Sequence, residues 1–99
     1  MTSEVEMRAA LSRGQHAKRI IEDELVNEAI AGLRSDAYAK IEATKPSQKD
    51  EREFLYQRLQ AINGFEAQFT FHIENGRMAR GILDEYRAKK AVEGRRRRT

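Results

Sequence analysis

Cysteine and tryptophan are absent from this 99-residue chain, and proline occurs once. Without Cys there is no disulfide and no thiolate metal site, so nothing points to an oxidising compartment. No stretch comes near the ~20 consecutive apolar residues that a membrane-spanning helix needs. Met1 to Ala10 carries Glu4, Glu6 and Arg8 and does not read as the apolar core of a signal peptide. The expectation is a protein of the cytoplasm, or one assembled there, with no membrane partner. No segment alternates apolar and polar residues as a half-buried strand would, and no internal repeat is visible.

What the chain does have is charge and helical periodicity. Charged residues make up 35% and hydrophobic ones 39%. That is polar for a globule, but too patterned and too apolar for a disordered segment. The length allows one domain with a modest core, which partner subunits are expected to complete.

Pro46 lies near the middle, in the polar run Thr44-Lys45-Pro46-Ser47-Gln48-Lys49-Asp50. Proline removes an N–H and disfavours helical backbone at the residue before it, so a helix should end near Ala43. Asp50 with Glu53 fits a capping box for the next helix, and Ser47 is a competing cap. Before the loop, Leu11, Ile21, Leu25, Ala29, Leu33, Ala37 and Ile41 recur mostly at steps of four, which predicts a helix over about 3–43. After it, Leu55, Leu59, Ile62, Phe69 and Ile73 form a coiled-coil-like seam with one polar member, Glu66, and Phe65 beside it. That predicts a second helix over about 51–74. Asn75-Gly76 is a C-cap signal, so a short third helix, or an extension of the second, is expected over about 77–92. Gly14 and Gly76 are each read as a break or merely a weak point, with both options open.

Two arms of about 40 residues, each able to span about 60 Å as helix, flank a short polar loop. The expected fold is therefore all-α: a long antiparallel helical hairpin over 1–93, followed by a flexible basic tail over 94–99. Phe54, Tyr56, Phe71 and Met78 do not all fit one stripe. A second apolar surface packing on another copy is the favoured account, and outward-pointing side chains are the plain one. The residues expected to make the interface are Leu55, Leu59, Ile62, Phe65, Phe69, Phe71, Ile73 and Met78.

The net charge of +3 hides an asymmetry. From Arg87 onward, Arg87, Lys89, Lys90, Arg95, Arg96, Arg97 and Arg98 stand against Glu93, a balance of +6, which leaves −3 on the other 86 residues. Gly94 should release the four arginines from the preceding helix. Adjacent guanidiniums repel one another and are best held by a polyanion, where each neutralised phosphate releases counterions. Nucleic acid bound by Arg87, Lys89, Lys90 and Arg95 to Arg98 is the leading reading. An acidic protein surface or a purely solubilising tail are the others. No aromatic residue lies in the tail to stack on bases.

Catalytic constellations are not visible. His16 and His72 lack metal-ligand spacing, and Glu22, Asp23, Glu24 and Glu28 would spread around a helix rather than converge. Gly76 to Gly81 follows no strand and closes with no Lys-Ser/Thr pair, so it is not a phosphate loop. Ser3, Ser12, Ser35 and Ser47 have no base beside them. No enzyme activity, metal or cofactor is expected.

Taken together, Gly14-Gln15-His16-Ala17, Glu24-Leu25, Ala29, Leu33, Thr44-Lys45-Pro46, Asp50-Glu51-Arg52-Glu53, Leu55-Tyr56, Gly76-Arg77-Met78-Ala79 and Leu83 resemble a type of small helical protein of tailed phages and prophages. The resemblance covers roughly residues 14–83 through short motifs. The family's aromatic residue is missing from Ala39-Lys40-Ile41-Glu42-Ala43. The resemblance brings no catalytic residue; it implies a virion or DNA-packaging context. Small terminase subunits are similar in size and helical content, but no clear helix-turn-helix is present. The expected function is a phage structural or packaging accessory protein, homo-oligomeric, with DNA and phage structural proteins as partners. The alternative is an adaptor or inhibitor that docks a helical surface on a larger target.

Overall fold

The computed structural model describes Ser3 to Arg98, with side-chain surroundings defined as far as Arg96. Among the described residues the chain is all-helical: α1 spans Glu4–Glu22, α2 spans Glu24–Glu42 and α3 spans Lys49–Arg98. The chain divides into two compact units. The first joins residues 1–18 to 70–99, and the second is residues 19–69.

In the second unit, the expected single helix over 3–43 is interrupted, and not at Gly14. Asp23 takes an extended conformation (φ −60°, ψ 128°) and caps α2, its carboxylate accepting from the Val26 N–H at 3.0 Å. The Asn27 amide donates to the Ile21 carbonyl at 2.7 Å and so satisfies a group at the end of α1. An acid at this position gains more as a cap than as a mid-helix residue, because it pairs one of the first-turn N–H groups that no helix satisfies internally.

The turn between α2 and α3 falls where Pro46 requires it. Gln48 donates its backbone N–H to the Lys45 carbonyl at 2.9 Å, and its side-chain oxygen accepts from the Lys45 N–H at 2.7 Å. Arg52 reaches back to the Thr44 hydroxyl oxygen (3.0 Å) and the Lys45 carbonyl (3.1 Å). α3 starts at Lys49, so neither Asp50 nor Ser47 is the cap. Gln48 holds that position, and its amide bonds Glu51 at 2.8 Å. Ile30, Ala37, Leu55 and Leu59 are the buried apolar side chains of this unit.

In the first unit, α1 packs on the later part of α3 through small residues. Gly14 and Ala17 of α1, and Gly76, Ala79 and Leu83 of α3, are buried. Gly76 does not end a helix: all glycines have negative φ, and α3 continues through Gly76 and Gly94 to Arg98. Of the two options for residues 77–92, α3 shows the extension, with no boundary at 74, 77 or 92. A lone glycine costs a helix only about 1 kcal/mol relative to alanine, and it stops one chiefly by adopting positive φ. The released tail expected from Gly94 onward is likewise helical as far as Arg98, while Thr99 lies outside the described residues.

Candidate nucleic-acid and assembly surfaces

Of the residues expected to form the interface, Leu55 and Leu59 are instead covered within the second unit, and Ile62, Phe69 and Ile73 are half-buried. Phe65, Phe71 and Met78 are 56%, 59% and 67% exposed. Phe65 packs edge-on against Phe69 with ring centres 5.2 Å apart, and Phe71 does the same against His72 at 5.5 Å. Despite these contacts, Phe65 and Phe71 stay more than half exposed.

The polar member of the seam has a partner that its spacing does not reveal. The Glu66 carboxylate is 3.3 Å from the Arg34 guanidinium, and Arg34 also donates to the Asn63 side-chain oxygen at 3.2 Å. One arginine from α2 thus ties together two polar residues a turn apart on α3. Next to this cluster lies an open apolar groove of about 490 Å³, bounded by Val26, Ala29, Ile30 and Leu33 on α2 and Ala61, Ile62 and Phe65 on α3, with Arg58 at its rim.

The first unit's residues include twelve basic and six acidic side chains, and the second unit's include seven and ten. Positive charge therefore collects in the first unit and negative charge in the second. Of the residues expected to hold nucleic acid, Arg87, Lys89, Lys90, Arg95 and Arg96 are exposed on α3. The side chains of Arg97 and Arg98 lie outside the described surroundings. A helix turns about 100° per residue, so the consecutive cations do not form one patch. Lys90 lies over the Tyr86 ring, 4.9 Å from its centre. By the same phase, Lys89 and Arg96 fall on the side opposite Arg80 and Arg87.

Sequence reasoning missed Lys18, Arg77 and Arg80. They border a cleft of about 150 Å³ in the first unit, above Gly14 and Gly76 and beside Gln15. The signal was present as spacing: Gly14 to Lys18 is four residues and Gly76 to Arg80 is four. Each glycine therefore has a cation one turn away on the same face.

Among the described residues, no group of three or more His, Asp or Glu side chains is placed to hold a metal ion, and no helix is long and apolar enough to cross a membrane. No protein-family model, curated protein or solved structure matches this chain.

Proposed function

We propose that the chain is a non-enzymatic structural or DNA-packaging accessory protein of the phage type, acting in the host cytoplasm or the virion. Its coiled-coil-like antiparallel helical hairpin oligomerises through uncovered apolar faces and holds DNA through basic side chains of the C-terminal part of α3. The observation that carries this reading is an imbalance. Seven apolar side chains are buried among the described residues, while twelve large ones are exposed, including Leu33, Phe54, Phe65, Phe71 and Met78. Packing on another copy would cover exposed apolar side chains of this kind. The collection of cations in the first unit supports a polyanionic partner, since phosphate neutralisation needs positive charge and no base-reading geometry.

A second reading, an adaptor that docks on a larger protein, is favoured by the groove between Leu33 and Phe65. Its walls are apolar and its rim carries a single cation, Arg58.

Light scattering with and without duplex DNA, at low and physiological salt, separates the two. A homo-oligomer that takes up DNA in a salt-sensitive manner supports assembly and packaging. A monomer indifferent to DNA overturns that reading and leaves the adaptor.

A further inference from the structure

We propose that the first unit carries a phosphate-binding cleft formed by Lys18 of α1 with Arg77 and Arg80 of α3, and that it takes the phosphodiester backbone of duplex DNA. This rests on the DNA-contacting function proposed above and moves much of the contact away from the terminal arginines.

Three observations carry it. First, the cations come from two helices and converge on one depression, with the Gln15 amide beside them. Its volume of about 150 Å³ is several times the roughly 30 Å³ that a water molecule occupies in the liquid. Second, Gly14 and Gly76 sit beneath it. Their missing side chains let the helices approach closely and leave bare backbone at the base of the cleft. A Cβ on Gly14 would lie 2.7 Å from the His72 carbonyl oxygen, so the approach has no slack.

Third, the positive face continues along α3. At about 100° per residue, Arg77, Arg80, Arg87 and Arg95 fall within a sector of about 80° and extend over about 27 Å of helix. Asp84 is the one acid in that sector. Glu74 and Glu85 fall about 60° and 80° beyond its Arg77 edge, and Glu93 lies on the other side. A sorted face of this kind can follow a run of phosphates. Arg77 is paired with Glu74 at 3.1 Å, but both side chains are largely exposed (74% and 56%), and such a pair yields readily to a phosphate. Guanidiniums make bidentate contacts with phosphate oxygens, and lysine adds a point charge. No aromatic side chain borders the cleft, which favours backbone contact over base stacking.

The test is the salt dependence of binding to a fluorescent duplex, read by anisotropy, for three full-length proteins: the parent chain, the Lys18→Gln/Arg77→Gln/Arg80→Gln variant and a charge-retaining Lys18→Arg/Arg77→Lys/Arg80→Lys variant. All three sites are exposed and the replacements suit helices, and circular dichroism checks that helicity is kept. The glutamine variant is expected to lower the slope of log affinity against log salt by about 2.7, which is about a hundredfold in affinity at 0.15 M salt. The charge-retaining variant should keep the parent's salt slope. A parent that binds while the glutamine variant keeps its slope and affinity overturns the cleft and leaves the DNA-binding function standing. A parent that does not bind duplex DNA overturns both.

Discussion

Gly14 and Gly76 face each other so closely that neither can accept a side chain without displacing the other's helix. A Cβ on Gly14 would lie 3.0 Å from the Gly76 Cα, and a Cβ on Gly76 would lie 3.1 Å from the Gly14 Cα. The first would also meet the His72 carbonyl oxygen at 2.7 Å. These obstacles are backbone, which cannot rotate aside. Gly14→Ala should therefore destabilise the protein by about 1–3 kcal/mol despite alanine's better helix propensity. Urea denaturation followed by circular dichroism would measure it, and an unchanged or raised midpoint would contradict the close packing.

Gly32 supplies the opposite sign. It lies inside α2, and a Cβ there would meet nothing within 4 Å. Gly32→Ala should stabilise by roughly 0.5–1 kcal/mol, because alanine loses less conformational freedom on entering a helix. The same denaturation series would report it as a raised midpoint.

Asp23 separates α1 from α2 by capping the second. Asp23→Ala should cost about 0.5–2 kcal/mol, whereas Asp23→Asn, which also caps well, should lose much less. Equal losses in both variants would mean that the carboxylate's charge, rather than its acceptor geometry, holds the joint.

Arg34 and Glu66 can be tested as a pair. Their side chains are 30% and 39% exposed, so solvent screens the attraction. Removing Arg34 alone should cost no more than about 1 kcal/mol. Replacing both, as in Arg34→Leu/Glu66→Leu, should be neutral or stabilising, since an apolar residue restores the seam. A double-mutant cycle in urea would read the coupling, and a double variant much less stable than either single one would contradict it.

The assembly reading makes its own prediction. Leu33 is 51% exposed and Phe65 56%, both beside the same groove. Leu33→Glu with Phe65→Glu should reduce the solution mass without loss of helicity, because burying two carboxylates at a subunit contact is costly. Light scattering would show it, and an unchanged oligomer would place the contact elsewhere.

Class and loop position were legible in the sequence because they follow from local rules. Leu55 and Leu59 repeat at helical spacing and are buried, and Pro46 places the turn. The joint at Asp23 was not legible, since an acid within a charged helical run serves equally well as a cap or an ion-pair member. The glycines were read one at a time, as possible breaks. Their function depends on each other across 62 positions of sequence, which no local pattern records. The basic residues were read as a run, although helical phase scatters neighbouring positions and gathers those three, four or seven apart. That is why Lys89 parts from Arg87, while Arg77 and Arg80 join the cleft with Lys18.

The turn between α2 and α3 has a consequence for how the chain reaches its fold. Its bonds link Lys45 to Gln48 and Arg52 to Thr44, partners at most eight residues apart. Closing so short a segment costs little chain entropy, and elementary loop closures of about ten residues take roughly 10–100 ns. Folding is therefore expected to nucleate at this turn and zip outward from Leu55 and Ala37, with the glycine contact, whose partners are far apart in sequence, forming last.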